Sequence, residues 1–103
     1  MEDQKPQEKI EVVSEESKQQ ALFWLEYGRQ LSDSIRYDEA LEAFDHALSL
    51  DESFVPAWDG KAWALGILGK REEALTAVNR ALQLDPQYFD ALKRKQRLEN
   101  MQV

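Results

Sequence analysis

Apolar residues recur along most of the chain at the three- and four-residue spacing of helices that bury one face. The clearest stripe, Trp24, Tyr27, Gly28 and Leu31, follows the i, i+3, i+4, i+7 rule for one side of a helix. Further stretches show the same periodicity and are separated by short polar breaks. The pattern predicts an all-α chain of about five helices, at residues 15–33, 38–50, 54–68, 72–84 and 88–101.

The pattern also repeats with a period of 34 residues. The positions that keep their residue type under that shift include eight pairs: Trp24 and Trp58, Leu31 and Leu65, Glu39 and Glu73, Ala40 and Ala74, Leu41 and Leu75, Ala47 and Ala81, Leu50 and Leu84, and Asp51 and Asp85. Agreement at a single offset indicates internal duplication of one helical hairpin. A third copy begins where the second ends, with Ala57 mapping to Ala91 and Trp58 to Leu92, and only half of it lies within the chain.

Turn residues separate the predicted helices. Gly69 follows the third helix and supplies the positive φ that helix C-termini commonly need. Pro86 lacks a backbone donor and disfavours helix at Asp85, so the second hairpin ends there. Ile35 occupies the position equivalent to Gly69 in the first hairpin. We therefore expect the first turn to be either differently shaped or strained.

These residues resemble the tetratricopeptide repeat (TPR), a 34-residue unit with Trp, Leu, Gly and Tyr in its first helix and Ala, Phe, Ala and Pro afterwards. The first copy places at those offsets Trp24, Tyr27, Gly28, Leu31, Tyr37, Ala40, Phe44 and Ala47. The second places there Trp58, Ala62, Leu65, Ala74, Val78, Ala81 and Pro86. The resemblance implies a right-handed α-solenoid of antiparallel helix hairpins within residues 14–103, with repeats at 21–54 and 55–88 and a capping helix at 89–103.

Some positions depart from the family pattern. Glu52 stands where proline is usual, Lys61 replaces an apolar residue and Arg71 replaces an aromatic one. In the third copy, Lys95 and Gln96 occupy positions that would normally pack against a following helix. Polar residues at that face are what a solvated end cap requires.

Composition narrows the class of protein. A content of 43% apolar and 32% charged residues indicates a soluble, folded protein. The polar stretch 1–13 predicts a disordered tail. There is no cysteine, which excludes disulfides and thiolate metal sites. No run of about 18 apolar residues or leader-like start is present, so we expect no membrane insertion and a cytoplasmic location.

Net charge is −7 and is unevenly distributed. Repeat 1 holds eight acidic and two basic residues, whereas a basic cluster lies near the end of the chain, formed by Lys93, Arg94, Lys95 and Arg97. Because an acidic chain repels phosphate backbones, general nucleic-acid binding is disfavoured. The basic end favours an acidic partner locally.

A partner surface is predicted on the faces of the first helices that lie opposite the Trp24 and Trp58 stripes. In proteins of the TPR type the first helices line a concave groove that holds a peptide. The candidate groove residues are Leu22, Leu25, Glu26, Arg29, Asp59, Trp63, Ile67, Lys93, Arg94 and Arg97. Apolar surface rimmed by charge independently indicates a partner, here a peptide segment with apolar and acidic side chains. The side chain of Trp63 is expected to face the groove, while Trp24 and Trp58 are expected to belong to the core.

Burial within the protein or its oligomer is an equally favoured interpretation of part of this surface. Leu22 and Leu25 are compatible with cover by Ile10, Val12 and Val13 or by a second copy of the chain.

Some TPR proteins bind a C-terminal carboxylate with Lys, Asn and Arg residues. The equivalent offsets here hold Leu25, Arg29, Gly60, Asp90 and Arg94, of which only the last agrees, so that ligand class is disfavoured.

Catalytic chemistry finds no support in the sequence. His46 is a single imidazole expected to face solvent, without the ligands of a metal site, so we expect no enzyme activity, metal or cofactor.

Two functions remain: an adaptor or assembly scaffold that binds a segment of another protein in the groove, and a structural protein that forms homo-oligomers. With two and a half repeats, close to the minimum for a stable stack, self-association would also add buried surface.

Overall fold

The computed structural model describes residues 13–101, which form five helices and no strand. The helices are α1 (Glu15–Asp33), α2 (Tyr37–Leu50), α3 (Val55–Ile67), α4 (Arg71–Leu84) and α5 (Phe89–Glu99). The predicted all-α repeat fold is confirmed, and every predicted helix is present with ends within two residues of the expected ones. The predicted disordered tail lies outside the described residues except for Val13.

The helices stack as two hairpins and one further helix. α1 packs on α2 and α3 on α4, while α2 against α3 and α4 against α5 join successive units. The first helices also touch one another, α1 against α3 and α3 against α5. Each internal helix of a repeat stack therefore buries more than one face, since it contacts both its hairpin partner and the next unit.

The turns within the two hairpins have the same backbone conformation. Ile35 has φ 61° and Gly69 has φ 81°, and both follow a helix C-terminus. The next amide, that of Arg36 or Lys70, donates to the carbonyl of Leu31 or Leu65 at 2.9 Å, the six-to-one bond of the Schellman motif. The strained alternative is thus the one realised at Ile35, because a β-branched residue disfavours positive φ.

Small residues bring the helices close together. Ala40 and Ala47 of α2 and their equivalents Ala74 and Ala81 of α4 have no exposed surface. Phe44 of α2 is 1% exposed and inserts between α1 and α3, where it meets two glycines. A Cβ atom added to Gly28 or to Gly60 would lie 2.6 Å or 2.8 Å from the Phe44 ring. Only glycine leaves room for the ring at these two positions.

The repeat tryptophans pack against the core without being fully buried. Trp24 and Trp58 are half-buried beside the apolar cluster centred on Phe44. The Trp58 indole N–H donates to the Glu52 carbonyl at 2.8 Å. The Trp24 ring lies 4.1 Å, centroid to centroid, from the ring of His46, which is exposed as predicted.

The last helix has the polar free face predicted for a cap. Gln96 is exposed and Lys95 is half-buried at the positions that a following helix would cover. Arg71, at the start of α4, donates through Nε to the Leu98 carbonyl at 2.8 Å and thereby satisfies a free carbonyl at the end of α5. The replacement of the usual aromatic residue by Arg71 therefore serves to cap α5.

Candidate functional site

The first helices of the units, α1, α3 and α5, together form one face of the stack. We call this face the groove; its floor is α3 and its two sides are α1 and α5. Trp63 lies on α3 near the middle of the groove, and its side chain is half-buried and not fully exposed. Its ring meets the ring of Tyr37 edge to face, with centroids 5.5 Å apart. This contact fixes one side of the indole and leaves the rest available to both halves of the groove.

An apolar pocket lies on the α5 side of Trp63, between the C-terminal ends of α3 and α5. Its volume is about 180 Å³, and its lining is Ala62, Trp63, Gly66, Ile67, Arg94, Arg97, Leu98 and Met101. Ile67 is 50% exposed and Met101 37%, so the walls present apolar surface to solvent. Arg97 is exposed at the rim. The pocket suits one apolar side chain followed or preceded by an acidic one.

A second pocket, polar in character, lies on the other side of Trp63 and spans all three first helices. Its volume is about 250 Å³, and its lining is Arg29, Ser32, Asp33, Phe44, Pro56, Asp59, Gly60, Trp63, Asp90 and Arg94. The two pockets share Trp63 and Arg94 as walls. A bound segment that filled both would cross the face of Trp63.

Asp59 and Arg94 form the strongest polar contact of the site. Arg94 donates through Nε and an Nη atom to the two carboxylate oxygens of Asp59, at 2.6 Å and 2.9 Å. The side chains are 9% exposed for Asp59 and 19% for Arg94. This bidentate pair ties α5 to α3 and uses the charge of Arg94 within the protein.

Two of the predicted groove residues are placed differently by the structure. Leu25 was assigned to the groove with burial as an equally favoured alternative, and it is buried at 2% exposure, whereas Asp59 was expected at the charged rim and is 7% exposed. Leu25 belongs to the same apolar cluster as Ala57 and Ala64 of α3, because α1 packs against the next first helix as well as against α2. Asp59 is covered because α5 lies over it and supplies Arg94.

The remaining predicted residues divide between pocket walls and open surface. Arg29, Trp63, Ile67, Arg94 and Arg97 line one pocket or both. Leu22 is 49% exposed and lines neither. Two other predicted residues also lie outside both pockets and make local contacts: Glu26 pairs with Arg29 at 3.2 Å, and Lys93 lies 5.1 Å above the Phe89 ring.

Several pocket residues were not predicted from the sequence. Ser32, Asp33, Asp90 and Met101 line the pockets but lie on different parts of the chain. Ser32 is seven residues after Leu25, on the same stripe of α1, so the burial of Leu25 would have been the signal for it. Asp90 and Met101 become neighbours of α3 only through the stacking of α5, which leaves no local signal.

Between residues 13 and 101, no helix combines the length and the apolar character needed to cross a bilayer. The same residues contain no group of three or more His, Cys, Asp or Glu side chains arranged to hold a metal ion.

Comparison with known proteins agrees with this architecture. The family model described as tetratricopeptide repeat matches residues 21–54 and 55–88. An uncharacterised protein of Methanocaldococcus jannaschii is 32% identical over 71 residues, which cover 69% of this chain and 83% of that protein.

Two solved structures have the same fold. The second TPR of Spaghetti (RPAP3), bound to the HSP90 peptide SRMEEVD, aligns with a TM-score of 0.78 and 25% identity over 82% of this chain and 78% of that one. The first TPR of Spaghetti, bound to the same peptide, aligns with a TM-score of 0.78 and 26% identity over 80% and 67%. Together with the two consecutive repeat matches and the five stacked helices, these likenesses show that the chain belongs to the tetratricopeptide repeat family.

Proposed function

We propose that this chain is a protein-interaction module that binds a peptide segment of a partner protein in the groove and acts as an adaptor or assembly scaffold. The observation that carries the proposal is Trp63, a half-buried indole that forms a wall of both groove pockets. Aromatic residues in this setting dominate the energy of many protein interfaces. The role requires no catalytic group, and the cytoplasmic location stays a prediction.

The apolar pocket indicates the character of the bound segment. Ile67, Leu98 and Met101 offer contact to one apolar side chain, and Arg97 at the rim favours an acidic residue beside it. The two Spaghetti domains, which share the fold at 25% and 26% identity, bind an acidic peptide that contains one methionine, SRMEEVD. Their ligand supports a peptide-binding role with that combination of side chains.

Recognition of a terminal carboxylate is not the mode that the site favours. Arg94 is the one residue at the family's carboxylate-binding offsets that agrees in type, and both Asp59 oxygens already hold it. Releasing Arg94 would leave the buried Asp59 carboxylate without its partner, which costs several kcal/mol. An internal segment anchored by an apolar side chain fits the groove better.

A peptide-display selection tests the proposal. The full chain is immobilised, random twelve-residue peptides are selected, and the dissociation constants of the enriched sequences are measured by fluorescence polarisation. We expect enriched peptides to combine an apolar with an acidic residue. Trp63→Ala and Ile67→Ser should each weaken their binding about tenfold, since each removes a contact worth about 1.4 kcal/mol.

Leu92→Ser is the matched control for Ile67→Ser. Leu92 is 44% exposed and Ile67 50%, but Leu92 lines neither groove pocket. The control should bind the selected peptides as the wild type does. Equal weakening by Leu92→Ser and Ile67→Ser, or no effect of Trp63→Ala, would contradict groove binding. Circular dichroism spectra of each variant establish that the helices are intact.

Self-association is the second candidate function, and one surface favours it. Phe23 is 62% exposed and Tyr27 42%, and their rings stack at 6.3 Å on the outer side of α1. Contiguous exposed apolar surface is a common mark of contact with another protein chain. Light scattering coupled to gel filtration at increasing concentration tests it: a mass of 12.0 kDa throughout removes this function, whereas a dimer abolished by Phe23→Ser favours it.

A further inference from the structure

Ser32 is the only polar side chain in the described residues whose buried side-chain oxygen lacks a hydrogen bond. The residue is 5% exposed, and its Oγ makes no bond to any described group. Ser32 lines the polar pocket. A buried hydroxyl without a partner is unfavourable by about 1 to 3 kcal/mol, so a site that retains one is suited to a ligand that donates to it.

The charges around this pocket do not cancel. Arg94 is matched by Asp59, and Arg29 is matched by Glu26 at 3.2 Å. Two wall carboxylates remain, Asp33 of α1 and Asp90 of α5, and neither forms an ion pair with another residue in the range 13–101. The pocket therefore combines an acceptor hydroxyl with two carboxylates on opposite sides.

The pKa of Tyr88, at the start of α5, responds to several of the same charged side chains. Burial, and then the negative charges of Asp59 and Asp90, raise the pKa of its phenol, while Arg29 and Arg94 act in the opposite direction with smaller effect. Acidic groups thus outweigh basic ones near this end of the groove. A carboxylate ligand would be repelled here, and a cation would be attracted.

We infer that the polar pocket binds a lysine or arginine side chain of the same partner segment whose apolar residue enters the pocket on the other side of Trp63. The cation donates to Ser32 Oγ and lies between the carboxylates of Asp33 and Asp90. This inference rests on the proposed function, because it assigns a second contact to the peptide that the groove binds.

The shared wall restricts where the cation lies in the partner sequence. One indole separates the pockets, and an extended chain advances about 3.3 Å per residue, so the basic residue lies about two or three positions from the apolar one. The acidic residue favoured by Arg97 lies on the opposite side of the apolar residue. The order acidic, apolar, basic therefore fixes the direction of the peptide along the groove.

The test substitutes every position of the tightest peptide from the display selection with Lys, Ala and Glu. We expect one position, two or three residues from the apolar anchor, at which Lys binds about tenfold more tightly than Ala and Glu binds more weakly than Ala. In the double variant Asp33→Asn, Asp90→Asn this preference for Lys should fall to about twofold or less.

Two further variants separate the site from general electrostatics. Glu72→Gln, Glu73→Gln removes the same charge from exposed carboxylates at the start of α4, outside the polar pocket, and should leave the preference for Lys intact. Ser32→Ala should maintain or raise the thermal stability of the chain and reduce the preference for Lys, because the hydroxyl it removes has no partner within the described residues.

The outcomes are distinguishable. If peptides bind through Trp63 but no position prefers Lys, or the preference survives in Asp33→Asn, Asp90→Asn, the cation pocket is wrong while the proposed function stands. If the control double variant loses the preference to the same extent, a diffuse acidic field and not this pocket is responsible. If no peptide is enriched, or Trp63→Ala has no effect, both proposals fail.

Discussion

At the scale of single residues, Ile35 and Gly69 form a natural matched pair. Both have positive φ in the same turn, and Ile35 is 72% exposed, so its side chain gains little from packing. We predict that Ile35→Gly raises the free energy of unfolding by about 1 kcal/mol, since a non-glycine residue in this region is strained by about that amount. Thermal unfolding followed by circular dichroism measures it, as a rise of roughly 4 to 8 °C.

The reverse substitution serves as the control. Gly69→Ile introduces the same strain at φ 81° and should lower the melting temperature by a similar amount. Nothing lies within 4 Å of a Cβ added at Gly69, so the first side-chain atom of the isoleucine meets no steric clash. A loss of stability in Ile35→Gly would show that the isoleucine side chain makes a contact that outweighs the backbone strain.

The two repeats distribute side-chain size differently in the hairpin core. Phe44 in repeat 1 faces Gly28 and Gly60, whereas the smaller Val78 occupies the equivalent position in repeat 2. The positions 34 residues after the two glycines hold Ala62 and Arg94. A smaller core residue in repeat 2 therefore accompanies larger residues at the two equivalent neighbouring positions.

Gly60→Ala tests this size relation. Alanine favours helix by about 1 kcal/mol over glycine, but its Cβ would lie 2.8 Å from the buried Phe44 ring, and overpacking costs about 1 to 3 kcal/mol. We predict a net loss of about 1 kcal/mol, measured by urea unfolding. In a Phe44→Val background the same change should be neutral or stabilising, and an equal loss in both backgrounds would contradict the role of packing.

At the scale of elements, the Asp59 and Arg94 pair is the main polar link between α3 and α5. Removing one partner of a buried pair leaves an uncompensated charge. We predict that Arg94→Leu lowers the free energy of unfolding by about 2 to 4 kcal/mol, somewhat less than for a fully buried pair because Arg94 is 19% exposed. The double variant Asp59→Leu, Arg94→Leu should recover most of that loss in urea unfolding, and failure to recover would mean that Arg94 acts through other contacts.

The helices were predictable from the sequence because each is specified by local signals. Hydrophobic period, Gly69 and Pro86 all act within one or two turns of the chain, and the 34-residue repeat shows which helices are equivalent, so helix number and bounds agree with the structure. The departure at Lys61 is instead explained by a contact between helices, since its ammonium pairs with Asp45 of α2 at 2.8 Å and lies 5.5 Å from the Trp58 ring.

The site was less predictable because it depends on how helices stack. The sequence pattern separates the face of α1 that meets α2 from the remainder, but it does not show that a second face meets α3. The sequence therefore left exposure and burial of Leu25 equally favoured, and the structure packs Leu25 in the core. For the same reason Ser32 and Asp90, 58 residues apart, were not recognised as walls of one pocket.

At the scale of the whole molecule, α5 is the element with the least support. Among the described helices, α5 contacts α3 and α4 on one side only, whereas α3 has neighbours on both sides. In a linear repeat array, terminal elements open at lower free energy than internal ones. Both groove pockets lose a wall when α5 opens, because Arg94 lines each of them. Formation of the complete groove is therefore coupled to the docking of α5.

Amide hydrogen exchange measures this coupling directly. We predict that the amides of α5 are the least protected among those of α2 to α5, and that Arg94→Leu lowers their protection more than that of α2. A peptide selected through Trp63 binds only when α5 is docked, so at one hundred times its dissociation constant it should raise protection in α5 by about 2.7 kcal/mol. A peptide that binds with the expected affinity yet leaves α5 protection unchanged would show that it does not use the groove wall. Protection spread equally over all helices would instead indicate that the five helices unfold as one unit, and the docking of α5 would then cease to be a separate step in binding.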